Sequence, residues 1–276
     1  MKDKFKVATI FLFFDNFKNA RQKGPPILVA NWKMNGDLQS IERLICDLKR
    51  DFLDKDLESE RVIILPPHVY LQIVAKDIGS TSILIGAQDT DERESGSVTG
   101  GVSAKMLRDV GCEYVLLGHS ERRNLFDEGD GAIFQKLTQA LKVGLKAIVC
   151  IGESLEQRNS GQVLEVISNQ LEPIINQETL PQLEELLIAY EPVWAIGSNK
   201  SATIEQIGYA LSKIRKILRD VDINLSESTK ILYGGSVTEK NIAEILAIDE
   251  ADGALIGGAS LDSKSFSKIC RIAKTI

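Results

Sequence analysis

Four polar side chains of complementary chemistry each follow an apolar run of the sequence. Asn31 and Lys33 come after the first run, His119 after the fourth and Glu191 after the sixth. A carboxylate and an imidazole can act as acid or base, and an ammonium group and an amide can stabilise negative charge. Each one alone is as well explained by a structural role, so the prediction of catalysis depends on a fold that brings all four together.

Two glycine-containing turns follow the seventh and eighth apolar runs. They are Gly234-Gly235-Ser236 and Gly257-Gly258. A backbone N–H group can approach an anion closely where no Cβ intervenes, and such turns therefore suit a phosphate group. Either turn alone is also compatible with a simple tight connection.

The composition narrows the classes of function. The 276 residues carry a net charge of -6, which argues against a broad nucleic-acid surface. The four cysteines lie far apart and form no CxxC pair, as expected for free thiols in the reducing cytoplasm. The two histidines of the chain argue against a histidine-rich zinc site, and the sequence lacks the glycine-rich motifs of nucleotide and dinucleotide binding. We therefore expect neither a metal nor an organic cofactor.

The elements that must position these residues alternate along the chain. Continuous apolar runs, typical of strands covered on both faces, alternate with longer stretches of helical period. Two of these stretches, from Leu38 to Phe52 and from Ile204 to Val221, place their apolar residues on one helical face. The expected strands are Ile27–Asn31, Val62–Leu65, Ile83–Ala87, Tyr114–Leu117, Ala147–Ile151, Leu187–Tyr190, Ile231–Tyr233 and Ala254–Ile256.

Eight strands spread over about 250 residues predict the α/β class and an eight-stranded parallel β/α barrel in a single domain. In such a barrel the residues that follow the carboxyl ends of the strands meet on one face. The four polar residues would then lie together beside the two glycine turns. An open, doubly wound sheet remains the alternative architecture.

The first 25 residues differ in composition from the remainder. They carry six basic and two acidic residues, and they include the short apolar run at 7–14. That run is too short to span a bilayer, and Asp15 ends it without a small-residue cleavage site. We expect residues 1–25 to be a disordered extension and residues 26–276 to be the barrel domain, with no membrane contact. A targeting or membrane-surface segment at 1–25 is the alternative.

Six segments of the chain resemble motifs of the triosephosphate isomerase family, in the order of that family and at similar spacing. The resemblance extends from about Ile27 to the end of the chain. The segments are ANWKMNG at 30–36, LGHSERR at 117–123, CIGE at 150–153, AYEPVWAIG at 189–197, YGGSV at 233–237 and GGASL at 257–261.

The resemblance implies a TIM barrel and an isomerase of glycolysis and gluconeogenesis that uses no cofactor. Such an enzyme interconverts dihydroxyacetone phosphate and D-glyceraldehyde 3-phosphate through an enediolate. The resemblance implies that Glu191 removes the carbon-bound proton and that neutral His119 polarises the substrate oxygens. It further implies that Lys33 and Asn31 bind the substrate and stabilise the anionic transition state. The backbone amides that it assigns to the phosphate group lie near Gly197, Ser236, Gly257 and Gly258.

The segment from Pro192 to Ala202 resembles the mobile lid of the family. It has GSNK where GTGK is common, so Asn199 occupies a position that glycine usually takes. Asparagine tolerates the positive φ that such a position can require. We therefore expect a lid whose closing speed is altered.

The loop after the third strand departs from the family pattern at two places. It has AQD at 87–89 where AQN is usual, and VTGG at 98–101 where FTGE is usual. By resemblance, the carboxylate missing at Gly101 pairs with Arg122 across a homodimer interface, whereas Thr99, which reaches the partner's active site, is retained. We expect a homodimer that is looser than usual because Arg122 lacks its partner.

Two other functions stay open on the sequence alone. The first is a different phosphate-handling β/α-barrel enzyme, against which the four polar residues argue. The second is a non-enzymatic binding or scaffold protein that kept the barrel and lost turnover, with which the altered lid and interface loop are compatible.

Overall fold

The structure is a computed structural model, and it describes residues 23–53, 57, 61–175, 186–196 and 201–276. The predicted N-terminal extension therefore lies almost entirely outside the described residues, as do Gly197 and Asn199 of the predicted lid. Lys23, near the start of the described chain, donates from Nζ to the backbone oxygens of Leu246 and Ile248. This contact joins the beginning of the described chain to a segment near its end.

Eight strands form the centre of the molecule. Each pairs in parallel with the next along the chain, and the eighth pairs with the first, with Ile27 opposite Gly253. The closed barrel confirms the predicted fold and excludes the open, doubly wound sheet. The strands are β1 (Ile27–Asn31), β2 (Arg61–Leu65), β3 (Leu84–Ala87), β4 (Tyr114–Leu117), β5 (Lys146–Ile151), β6 (Leu186–Tyr190), β7 (Lys230–Tyr233) and β8 (Gly253–Ile256).

Helices connect the strands around the outside of the barrel. Short 3-10 helices at His68–Tyr70, Val193–Ala195 and Gly258–Leu261 follow β2, β6 and β8. The α-helices of the described residues are α1 (Leu38–Phe52), α2 (Leu71–Ile78), α3 (Ala104–Asp109), α4 (Ser120–Leu125), α5 (Asp130–Lys142), α6 (Leu155–Asn159), α7 (Val163–Leu171), α8 (Ile204–Val221), α9 (Ile223–Ser228), α10 (Ile242–Leu246) and α11 (Ser263–Ala273). In the described part of the chain, no helix combines the length and the apolar character needed to cross a bilayer.

Helix α1 shows how the predicted apolar face is used. The helix begins with a capping box in which the Asp37 carboxylate accepts from Ser40 N and the Ser40 hydroxyl accepts from Asp37 N. The predicted face is buried from Ile41 to Phe52, whereas Leu38 is 55% exposed. A helix of 15 residues is about 22 Å long and a strand of five residues about 17 Å. Helix α1 is therefore longer than the strand that precedes it.

The core has two layers, which explains why the strand sequences are apolar without alternation. In β1, Ile27 and Val29 belong to the cluster inside the barrel, with Leu255 of β8. Leu28 and Ala30 belong to the second cluster, between the strands and the surrounding helices. Every residue of β1 is buried as a result, including its one polar residue, Asn31, at the carboxyl end.

Candidate active site

A cavity of about 260 Å³ opens at the carboxyl ends of the strands. It is smaller than the roughly 300–1,000 Å³ pockets that hold drug-sized ligands, and so suits a small metabolite. The four polar residues predicted from the sequence all line it: Asn31, Lys33, His119 and Glu191. The wall formed by the segments after β7 and β8 contains Gly234, Gly235, Ser236, Gly257 and Gly258.

The carboxylate of Glu191 is paired within the site. Glu191 directly follows β6 and is 2% exposed. Its Oε1 lies 3.0 Å from Nε2 of His119, and its Oε2 accepts a hydrogen bond of 2.9 Å from Ser120 N. Both carboxylate oxygens are thus held by the segment that follows β4.

The position of His119 at the start of α4 fixes its tautomer. His119 is the N-cap residue of this helix, and its Nδ1 accepts a hydrogen bond of 3.2 Å from Glu121 N. A nitrogen that accepts from a backbone N–H group carries no proton, so the proton of the neutral imidazole resides on Nε2. That proton points at the Glu191 carboxylate and at the cavity.

Burial and mutual attraction act in opposite directions on this pair. Burial is the largest single influence on the pKa of His119 and lowers it, but the Glu191 and Glu121 carboxylates together raise it, and the net pKa of His119 lies above its ordinary value. Burial raises the pKa of Glu191, but His119 and the N–H of Ser120 hold it below its ordinary value. A ligand that separated the two side chains would leave burial as the main influence on both pKa values. Burial then favours a neutral imidazole and a more basic carboxylate.

Lys33 is held in a conformation that few residues adopt. Its φ is +52°, in the left-handed region. Its backbone is fixed by Asn31 Oδ1, which accepts from Lys33 N at 3.0 Å, and by Gln88 Nε2, which donates to Lys33 O at 2.9 Å. Its Nζ lies 2.6 Å from Oε1 of Glu121. Sequence reasoning gave no role to Gln88 or Glu121, although both lie within the segments that it singled out.

The glycine turns expose backbone donors. The N–H groups of Ser236, Gly257 and Gly258 have no acceptor within the part of the chain that the structure describes, and all three residues line the cavity. Asn241 Nδ2 donates to Ser236 O at 2.9 Å and so fixes the first turn. This wall can therefore hold an anionic group. Gly197, the fourth residue of the predicted phosphate site, lies outside the described residues.

The described part of the predicted lid begins with the 3-10 helix Val193–Ala195. Trp194 Nε1 donates to the buried carboxylate of Glu153 at 3.0 Å. Ile196 lines the cavity. Residues 197–200, including Asn199, lie outside the described residues, so the prediction about closing speed stays a prediction.

The expectation that Arg122 lacks a counter-charge is wrong. Its Nη2 lies 2.9 Å from Oδ2 of Asp89, and its Nε contacts Oε2 of Glu128 in the same chain. Asp89 stands where the family usually has asparagine, so this chain supplies a carboxylate from the end of β3. The position of Gly101 is itself crowded, because a Cβ there would lie 3.0 Å from Oδ2 of Asp91.

Among the described residues, no group of three or more histidine, cysteine, aspartate or glutamate side chains could hold a metal ion. The groups that the cavity presents are the buried carboxylate and imidazole, the lysine and the exposed amides.

Comparison with known proteins points to one family. The family model described as triosephosphate isomerase matches residues 26–273. The chain is 42% identical over 245 residues to the triosephosphate isomerase of Coxiella burnetii (strain Dugway 5J108-111). The matched residues make up 88% of this chain and 95% of that protein. It is 40% identical over 250 residues to that of Francisella tularensis subsp. mediasiatica, covering 91% and 98%. It is also 40% identical over 245 residues to that of Methylococcus capsulatus, covering 89% and 97%.

Proposed function

This chain belongs to the triosephosphate isomerase family and interconverts dihydroxyacetone phosphate and D-glyceraldehyde 3-phosphate, and we propose that Glu191, His119, Lys33 and Asn31 carry out this reaction. The observation that carries the proposal is the 3.0 Å approach of Glu191 Oε1 and His119 Nε2 on the wall of a cavity of metabolite size. A base and a hydrogen-bond donor are thereby placed side by side. The carbon-bound proton of a triose needs the base, and the neighbouring carbonyl oxygen needs the donor, so the two groups must lie next to each other.

Glu191 is the base of the proposed mechanism. Its carboxylate removes a proton from the carbon next to the carbonyl group and returns it to the neighbouring carbon. The hydrogen bonds from His119 and Ser120 keep the carboxylate ionised before substrate binds. When the substrate enters between Glu191 and His119, the loss of the His119 contact in a buried site makes the carboxylate more basic.

His119 is the electrophile. Its Nε2–H donates to the substrate oxygens and stabilises the negative charge that develops on them in the enediolate. The same nitrogen can pass its proton to one oxygen and take a proton from the other, so the net reaction consumes none. The N–H of Glu121 at Nδ1 opposes a second proton on the ring. Once the substrate separates His119 from Glu191, burial also favours the neutral imidazole.

Lys33 and the glycine turns bind the anionic parts of the substrate. The fixed backbone of Lys33 directs its ammonium group to the cavity. There the ammonium group can leave the Glu121 carboxylate and contact the negative charge of the transition state instead. The amides of Ser236, Gly257 and Gly258, with Gly197 from the lid, hold the phosphate group. Asn31 contributes a side-chain amide beside Lys33.

We further infer that the active form is a homodimer and that it works in the cytoplasm. Met34 is 95% exposed, Val69 79% and Phe126 66%. All three lie in connections that follow the carboxyl ends of strands, where an exposed apolar patch would provide a contact surface for a second copy. The cysteines are all free thiols, as suits a reducing compartment.

A coupled assay with purified protein tests the proposal in both directions of the reaction. We expect turnover of both triose phosphates, and a drop in kcat of at least about 10³-fold in Glu191→Gln, which preserves shape and removes the base. Turnover of a different phosphorylated substrate alone would favour another barrel enzyme. Binding without turnover of any substrate would favour a scaffold protein, and either result would contradict the proposal.

A further inference from the structure

Outside the cavity, four charged side chains form a closed ring of ion pairs. Asp89 contacts Arg122 at 2.9 Å and Lys136 at 2.7 Å. Glu128 contacts the same two cations, with its Oε1 3.1 Å from Lys136 Nζ. Each cation thus touches both anions, and the ring has no net charge.

The ring is largely removed from water. The side chains of Glu128, Lys136 and Asp89 are 4%, 9% and 14% exposed, and that of Arg122 is 29% exposed. Breaking one member of such a set leaves an unpaired charge in a poorly solvated place, which is much costlier than losing a surface pair. The geometry of the ring is therefore strongly maintained.

The ring joins three parts of the barrel to α4. Asp89 follows β3, Glu128 lies after α4, Lys136 lies on α5, and Arg122 lies on α4 itself. A helix of six residues is too short to be stable alone, so tertiary contacts set its position. The N–H of Arg122 donates to His119 O at 2.8 Å. A movement of Arg122 is thereby passed to the residue that presents its imidazole to the cavity.

We propose that Asp89 is a positioning residue, whose carboxylate clamps Arg122 and so sets the place of His119 in the cavity. Asp89 does not touch the substrate; it acts through Arg122. The proposal rests on the proposed role of His119 in the isomerase reaction. It assigns to Asp89 a contribution to the rate and not to phosphate binding. The amide donors of the glycine turns follow β7 and β8, which lie across the barrel from β3 and β4.

A second anchor makes the proposal testable in folded protein. Arg123 donates from Nε to Gly118 O at 2.8 Å and from Nη2 to Cys150 O at 3.2 Å. These bonds hold α4 to the barrel when the ring is changed. Loss of the Asp89 charge should therefore shift α4 by a fraction of an ångström without releasing it.

The main variant is Asp89→Asn, which keeps the shape and removes the charge. Since a misplacement of 1 Å can cost about 10²-fold in rate, we expect a smaller shift to lower kcat about tenfold. The KM should stay within about twofold of the parent value, because ground-state binding is unchanged. The imidazole ¹⁵N resonances of His119 should move, a signature that general destabilisation of a still-folded protein does not produce.

Two further variants complete the experiment. Asp220→Asn is the matched control, because it removes a carboxylate from an exposed pair with Lys216 on α8; its kcat and ¹⁵N spectrum should be parental. Arg122→Lys keeps the charge but replaces the planar guanidinium group, which meets Asp89 through Nη2 and Glu128 through Nε, with a single ammonium group. We therefore expect it also to lower kcat about tenfold, consistent with misplacement. If Asp89→Asn does not fold, the kcat and the His119 resonances of Arg122→Lys test the proposal instead.

The outcomes separate this proposal from the proposed function. A parent protein without isomerase activity would contradict the function. An active parent with parental kcat and parental His119 resonances in folded Asp89→Asn, or in Arg122→Lys, would overturn the role of Asp89. The double variant should lose no more than the larger of the two single losses, because both act through one contact; fully multiplied losses would also overturn it.

Discussion

Gly234→Ala tests whether the position of Glu191, and not only its presence, sets the rate. A Cβ at this position would lie 2.8 Å from Cγ of Glu191 and 3.4 Å from the backbone oxygen of Tyr190. Non-bonded carbon atoms prefer a separation of about 3.5–4.0 Å. Gly234 is not among the glycines with a positive φ, so alanine does not meet the strain of a left-handed backbone there. The side chain of Glu191 must therefore retreat by roughly 1 Å, since the oxygen on the other side belongs to β6.

The size of that retreat sets the expected loss. A misplacement of about 1 Å can cost about 10²-fold in rate, which corresponds to about 2.7 kcal/mol of activation free energy. We expect kcat to fall by this factor in both directions of the reaction, as measured in the coupled assay. The protein should stay folded, because the added methyl group meets a side chain that can move into the cavity.

Gly208→Ala is the matched control. Gly208 lies within α8, and a Cβ there would meet only Ile248 Cγ2 at 3.7 Å, an ordinary contact. This variant should keep the parental kcat and gain about 1 kcal/mol in the free energy of unfolding, from the higher helix propensity of alanine. A folded Gly234→Ala protein with more than a third of the parental kcat would refute the reasoning.

Three further predictions follow from the same contacts. Glu191→Asp should lower kcat by about 10²-fold with little change in KM, because the shorter side chain withdraws the carboxylate by roughly 1 Å; steady-state kinetics with more than half the parental kcat would remove Glu191 from the role of base. The parent should have a higher free energy of unfolding than Glu191→Gln. The difference should be largest between pH 4.5 and pH 6.5, the ordinary pKa values of Glu191 and His119. The lowered pKa of Glu191 gives stability that is lost as pH falls through it, and the raised pKa of His119 gives stability that is lost as pH rises through it; equal differences in urea unfolding at about pH 5.5 and pH 8.5 would contradict this. Gly101→Glu should not tighten the proposed homodimer, because its Cβ would lie 3.0 Å from Oδ2 of Asp91 and would bring a second carboxylate there; a smaller dissociation constant in sedimentation would show the opposite.

The strands were predictable because their environment is uniform. Each lies between a barrel interior and a helical layer, so apolar residues run without interruption and the predicted ends agree with the structure to within one residue. Five first residues of strands were missed, of which Arg61, Lys146 and Lys230 are polar and Leu186 and Gly253 are not. Polar residues at a partly exposed strand start break the apolar pattern that carried the prediction.

The contacts of the site were less predictable than its members. Order along the chain places Lys33 and Glu121 on one face of the barrel, but it does not indicate that their side chains meet at 2.6 Å. Arg122 is the clearest example. Comparison of motifs indicated a missing carboxylate at Gly101, whereas a carboxylate that does contact Arg122, that of Asp89, lies elsewhere in the loop and becomes visible as a partner only in three dimensions.

The pairing of β8 with β1 has a consequence for how the protein is made. The hydrogen bonds between residues 27–30 and 253–256, together with the bond from Lys23 to Leu246, cannot form until almost the entire chain has left the ribosome. Contacts of such long sequence separation form late and slowly. During synthesis, β1 and the most recently made strand each present an unpaired edge, and such edges invite pairing with other chains. Closure of the barrel by β8 removes both edges in one step, so the protein is protected from this pairing only when the last strand is in place.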